Sequence, residues 1–224
     1  MVVLSLAAAV GSPPAQAQAP TDFRTVLAED FSNGIEGWRV QRLSRRLTLY
    51  TVVDIDGDSA LKASSNDAAA ALLMPIASDS SSISISQGRL RWRWRVMASL
   101  TDNSRETEKE GDDYAARVFV LFGSAELSAD TRALAYVWAG REAVGSRYPN
   151  PNLAQVSTIV LESGDEHAGE WVTEDRDVFA DYEQSFGEAP PGLAGIALLV
   201  DTDDTGGAAM AWFDEIELIV PVVP

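Results

Sequence analysis

Two acidic segments hold the side chains best suited to chemistry. The first is Asp112-Asp113-Tyr114-Ala115-Ala116-Arg117. Asp113 and Arg117 are four residues apart, and in a strand that spacing puts both on one face. Arg117 stands among Ala116, Val118 and Phe119, so it is expected to be buried, and a buried guanidinium needs a carboxylate. Asp113 or Asp201 is the expected partner. Two readings stay open: an ion pair that ties a loop to a sheet, or a ligand-binding arginine with Asp113 as acid or base. The second segment is Asp201-Thr202-Asp203-Asp204-Thr205-Gly206. Its crowded carboxylate and hydroxyl oxygens suit a hard cation such as Ca2+, although acidic turns also form without metal. Asp54-Ile55-Asp56-Gly57-Asp58 has the same character. Neither is an EF-hand loop, which closes on a bidentate Glu; the equivalent positions are Ser65 and Trp212.

Arginine and aromatic side chains form the other candidates. Arg89, Arg91, Arg93 and Arg95 alternate with Leu90, Trp92, Trp94 and Val96. Period two puts the arginines on one face of a strand and the apolar set on the other. Like charges so placed repel unless paired, and Glu108, Glu110, Asp112 and Asp113 are the expected partners. The face is then either a salt-bridged surface or a platform for an anion or sugar acid, because the planar fork of arginine matches a carboxylate. Trp92 and Trp94 are expected in the core. Trp138, at a strand end before Gly140-Arg141, is expected to be exposed. His167 lies in an acidic loop and is expected to be free. No Gly-x-Ser-x-Gly, phosphate loop or dinucleotide fingerprint occurs.

Composition narrows the function classes. The chain has 224 residues, 34 Asp+Glu against 17 Lys+Arg, a net charge of −17, one His and no Cys. The absence of Cys excludes disulfides, thiol catalysis, zinc-thiolate sites and iron–sulfur clusters. One His excludes multi-histidine metal sites. The negative charge opposes nucleic acid and anionic membranes. Residues 2–10 read VVLSLAAAV, and Ala15-Gln16-Ala17 and Ala17-Gln18-Ala19 follow. This is the pattern of a signal peptide with small-x-small cleavage sites, although no Lys or Arg precedes the apolar run. The expected organisation is a signal peptide over residues 1–19 and a single β-sandwich domain over 20–224, periplasmic or secreted. No membrane span is expected, since no later run approaches about 18 apolar residues.

The elements that must position these side chains are short and punctuated by turns. Strands are expected at Val26–Phe31, Trp38–Val40, Leu47–Val53, Ser59–Ala63, Ala69–Ile76, Gly88–Met97, Tyr114–Phe122, Ala133–Ala139, Gln155–Leu161, Trp171–Val178, Leu193–Val200 and Ala208–Val220. Ser78–Ser84 and Gly140–Leu153 read as loops. Val178–Phe186 is the one expected helix, capped by Asp177, closed by Gly187 and ended by Pro190-Pro191. The pattern predicts an all-β, two-sheet antiparallel sandwich of jelly-roll type with one short helix. A closed barrel is the alternative.

Several motifs resemble one bacterial family. They are Arg91-Trp92-Arg93-Trp94-Arg95-Val96, Asp112-Asp113-Tyr114-Ala115-Ala116-Arg117-Val118, Tyr136-Val137-Trp138, and Trp171 with Glu174-Asp175-Arg176-Asp177-Val178. Asp181-Tyr182, Phe186-Gly187, Gly195-Ile196-Ala197 and Asp201-Thr202-Asp203 complete the set. Together they resemble the family called domain of unknown function 3047. That resemblance implies an exported bacterial β-sandwich and no established activity. Glu29-Asp30-Phe31-Ser32-Asn33-Gly34 at the opening and Trp212-Phe213-Asp214-Glu215-Ile216 at the close are also similar to carbohydrate-binding sandwich modules. This second likeness implies a Ca2+-type site involving Glu29 or Asp30 with Asp214, and no other cofactor.

The expected function is a non-catalytic, exported protein that binds a glycan or other small polar ligand through Arg117, Asp113, Tyr114, Trp138, Arg141, Asp201 and Asp203. The alternatives are a polysaccharide hydrolase or lyase using paired carboxylates such as Asp113 and Asp201, and an envelope scaffold that binds another protein. N-terminal sequencing of the exported product is expected to begin near residue 18 or 20; an exported pool that retains Met1 contradicts the leader.

Overall fold

The alternating residues around Trp92 and Trp94 form a central strand of one sheet. The computed structural model describes residues 22–76, 87–128 and 131–222. The expected signal peptide and the Ser78–Ser84 loop lie outside the described residues. One sheet contains β1 (Phe23–Glu29), β3 (Leu49–Ile55), β4 (Asp58–Asn66), β6 (Arg89–Val96), β11 (Val172–Asp177) and β13 (Ala208–Pro221). Its order is β11–β6–β13–β4–β3, and β1 also pairs with β13. The other contains β2 (Arg39–Arg42), β5 (Ala70–Pro75), β7 (Ala116–Phe122), β8 (Arg132–Ala139), β9 (Arg147–Pro149), β10 (Val156–Ser163) and β12 (Leu193–Leu199). Its order is β2–β5–β12–β7–β8–β10–β9. The fold is the expected two-sheet sandwich of jelly-roll type. All pairs are antiparallel except β8 with β10, which run parallel. Their connection is the stretch read from sequence as a loop, and it contains the short β9, which pairs antiparallel with β10.

The inward faces of the two sheets make an aromatic core. Trp92 meets Trp94 edge-on at 5.6 Å and Tyr136 at 5.3 Å, and Trp94 meets Trp138 at 5.8 Å. Trp138 is therefore buried, not exposed as expected. It shares the inward parity of Leu134 and Tyr136 on β8, and its Nε1 donates to the Gly164 carbonyl at 3.0 Å. Helix α1 (Val178–Phe186) closes one end of the sandwich with Val178, Phe179 and Tyr182. The Asp177 carboxylate accepts from Ala180 N at 3.0 Å, and Gly187 takes φ 70°, so both expected caps are present. Asp181 joins this helix to both sheets. It accepts from the Tyr136 hydroxyl, from Arg176 and from Arg147 at 2.7–2.9 Å.

The arginine row on β6 points outward, with partners other than those expected. Arg89 and Arg91 share Asp175 on β11, at 2.6 and 2.9 Å, and Arg93 pairs with Asp214 on β13 at 2.5 Å. These acids lie on the neighbouring strands, directly across the ladder. Glu108 and Glu110 are closer in sequence but hold Arg105 instead. Asp214 also sits at an irregularity in β13. This strand pairs with β4 through Ala208–Phe213 and with β1 through Ile216–Pro221. Between these stretches Glu215 takes φ 49°, and its N–H donates to Asp214 at 2.7 Å.

Edge strand β11 turns Val172, Glu174 and Arg176 inward. Glu174 Oε1 is buried without a hydrogen-bond partner. Burial, reinforced by the Glu162 carboxylate, pushes the Glu174 pKa up to about 7 against the pull of Arg176. The folded chain thus holds this proton more tightly than the unfolded chain. The resulting stabilisation is complete below about 4.5 and is lost as pH rises through about 7. The Glu174 contribution to unfolding free energy is expected to fall by on the order of 2 kcal/mol across that window. Urea denaturation at both ends of the window should show a flatter slope for Glu174→Gln; a slope unchanged from the parent chain contradicts the assignment.

Candidate functional site

The outer face of the seven-stranded sheet carries a second apolar layer. Phe119 and Leu121 on β7, Val137 on β8, Leu199 on β12 and Leu73 on β5 belong to it. Two connections fold over this layer. Leu127 covers it from the β7–β8 side, where Gln41 on β2 hydrogen-bonds both the Leu127 carbonyl and its N–H, at 2.7 and 3.1 Å. Tyr148 and Leu153 cover it from the β8–β10 side. Between the two covers lies a cleft of about 310 Å³. Its floor is Phe119, Leu199 and Val156, and its walls include Leu43, Leu127 and Leu153.

One end of this cleft is polar. Arg117 shares the outer face of β7 with Phe119, and Asp201 follows Leu199 with strand parity just beyond β12. Arg117 is 3% exposed and Asp201 5%. The guanidinium grips Asp201 with two hydrogen bonds, Nη2 at 2.7 Å and Nε at 3.2 Å. Its Nη1 lies 3.1 Å from the Asp112 carboxylate, and Nη2 also donates to the Asp112 carbonyl. The Tyr114 ring stacks beneath it at 4.3 Å. Asp112 is fixed in turn by Asn150 Nδ2, at 2.8 and 2.9 Å, and by Asn152 Nδ2 at 3.2 Å. Asp113 points elsewhere. Its carboxylate accepts from Thr205 N, Thr205 Oγ1 and Asp204 N at 2.6, 2.7 and 3.3 Å, which pins the acidic turn after β12.

The electrostatics follow from burial and crowding. Burial raises the Asp201 pKa most, Asp113 and Asp112 add to the rise, and Arg117 opposes it. Burial likewise raises Asp203, helped by Asp113. Asp204 is pushed up to about 6 by burial and by Asp113, Asp203 and Asp112. Burial works against the Arg117 charge, but Asp112 and Asp201 outweigh it and hold its pKa above the usual arginine value. Five carboxylates thus crowd around one guanidinium at this end of the cleft.

The sequence candidates fall into two sets. Arg117, Asp113, Tyr114, Asp201 and Asp203 are brought together here. Trp138 faces the opposite side of β8 into the aromatic core. Arg141 is exposed, and among the described residues its backbone N–H alone is engaged, by Glu106. Asp113, Asp201 and Asp203 have carboxylate oxygens within 4.8 Å of one another. They are the one such acidic group among the described residues, but Thr205 and Arg117 already engage two of its members. Glu29 accepts from Phe31 N and Trp38 Nε1, Asp30 from Ser32, and Asp214 from Arg93. No group of three acidic ligands among the described residues includes any of them. Asn150 and Asn152 were not singled out from sequence, where they read only as part of a proline-bearing loop.

A two-sheet sandwich with a cleft on its seven-stranded face is thus the class defined by the fold and the site. The family described as "Protein of unknown function (DUF3047)" matches residues 36–217, and the chain belongs to it. No curated protein matches the sequence. Among solved structures, a carbohydrate esterase from Shiga toxin-encoding bacteriophage phi24B is similar at 16% identity and TM-score 0.50, covering 90% of this chain and 100% of that one. The family 11 carbohydrate-binding module of Lic26A-Cel5E from Clostridium thermocellum is similar at 9% identity and TM-score 0.46, covering 91% and 96%. The xylan-binding CBM22-1 domain of Paenibacillus barcinonensis Xyn10C is similar at 11% identity and TM-score 0.45, covering 93% and 100%.

Arg117→Ala is expected to destabilise the chain by about 3–5 kcal/mol, because it leaves Asp112 and Asp201 buried without their cation. Arg117→Lys keeps the charge but loses the two-pronged contact, and should fall between the two. Chemical denaturation of the three proteins measures this. An alanine variant as stable as the parent means that the pair does not hold the fold.

Proposed function

We propose that this is an exported, non-catalytic β-sandwich protein that binds a neutral glycan in the cleft between Leu127 and Leu153. One observation carries the reading: an apolar floor ends in a cluster of amide and carboxylate side chains. Apolar walls with a few convergent polar groups are the usual build of a small-ligand site. The apolar floor suits the carbon face of a sugar ring, and Asn152, Asp203 and Asp204 suit its hydroxyls. The cleft disfavours a sugar acid, because the Arg117 guanidinium is already neutralised by Asp112 and Asp201. Signal-peptide character at residues 1–19 supports export to the periplasm or medium. The reading requires no metal or organic cofactor.

The fold shared with the phage esterase keeps a hydrolytic alternative in view. The carboxylates of that alternative, Asp113 and Asp201, are engaged by Thr205 and Arg117. The raised pKa of the exposed Asp204 is the observation that favours it.

Titration calorimetry of the mature chain against neutral oligosaccharides tests both. Binding is expected, with an affinity loss of about tenfold for Asn152→Ala or Asp204→Ala, the scale of one lost hydrogen bond. The oligosaccharide should be recovered intact. Cleavage products that disappear with Asp204→Asn establish the alternative, and equal binding by all variants moves the ligand out of this cleft.

A further inference from the structure

We propose a second ligand site, for a carboxylate-bearing glycan, on the outer face of the six-stranded sheet at Arg95, Trp212 and Lys62. The choice of a sugar over another acid rests on the glycan-binding reading above; the site itself does not. Three of the four arginines on β6 are paired with Asp175 or Asp214. Arg95 is the exception, with no ion pair among the described residues. Its guanidinium stacks over the Trp212 ring at 5.3 Å, and its buried Nε has no acceptor. The side chain is nevertheless partly exposed, and its Nη groups make no hydrogen bond among the described residues. Trp212 therefore holds the planar fork in place while its outer donors remain unused.

Register supplies the second cation. Trp212 on β13 lies directly opposite Arg95 on β6 and directly opposite Lys62 on β4. Lys62 also makes no ion pair among the described residues. The two cations flank one tryptophan, about 10 Å apart at two strand spacings. In a chain of net charge −17, such a pair attracts an anion locally. The next row of the same face reads Met97, Met210, Ser64 and Leu49, three apolar residues and one hydroxyl, with Met97 and Leu49 63% and 68% exposed. A sugar ring can rest on this shelf while its carboxylate meets the Arg95 fork, with Lys62 within reach of the next acid group. Arginine suits that contact because it offers two parallel donors to a planar carboxylate.

Titration with oligogalacturonate tests the proposal. The parent chain is expected to bind it, more weakly as salt rises. Arg95→Gln should weaken binding by about tenfold or more, and Lys62→Gln should add to the loss. Both positions are on the surface, and matched melting curves will show that the variants are folded. Polyglutamate serves as the competing acid without a sugar. No uronate binding, binding unchanged in both variants, or equal competition by polyglutamate overturns the site. Neutral-oligosaccharide binding read on the same samples reports on the cleft separately, so failure of one site is not mistaken for failure of the other.

Discussion

A guanidinium taken out of water must bring its counter-charges with it. Arg117 meets that demand with Asp201 beyond β12 and Asp112 beyond the turn that precedes β7. Each acid then needs its own donors. Asp112 recruits Asn150 and Asn152 from the β9–β10 connection, and Asp201 accepts the Tyr114 N–H at 3.1 Å. Asp113 adds the turn at Thr205. Three connections that are remote in sequence are thus fixed at one end of a cleft by a single buried cation.

Asp181 plays a comparable part at the other end of the sandwich. Burial raises its pKa, but hydrogen bonds from Arg176, Tyr136 and Arg147 prevail and hold it below the usual carboxylate range. The two hubs differ in accessibility. Asp181 is buried on the inner side of α1, whereas Arg117 faces the cleft. Similar electrostatics therefore serve closure in one place and leave a recess with unused oxygens in the other.

Much of the architecture was legible because its signals are local. Helix α1 has the residue bounds expected from Asp177 and Gly187, since both caps act within one turn. The alternation around Trp92 and Trp94 fixed one face of β6 for the core. The burial of Arg117 also followed from neighbouring residue types, whereas the choice of Asp201 over Asp113 as its partner, and the addition of Asp112, did not. The misreadings came from non-local facts. The partners of the arginine row depend on which strands flank β6, and Asp175 and Asp214 are far from it in sequence. Trp138 was misplaced because the end of β8 is covered by the segment around Gly164. Asn150 and Asn152 join the site only through the parallel placement of β10 beside β8, which has no turn signal.

Strand β13 stands at the centre of its sheet, with β6 on one side and β4 followed by β1 on the other. It is also the last of the described strands to be synthesised. As the chain leaves the ribosome, β1, β4 and β6 have no central partner until β13 arrives, so this half of the sandwich cannot close during elongation. Such late, long-range pairing favours slow folding and prolonged exposure of strand edges. On the proposal that the chain is exported, the same delay is an advantage in a translocon, since it keeps the chain open until β13 has passed.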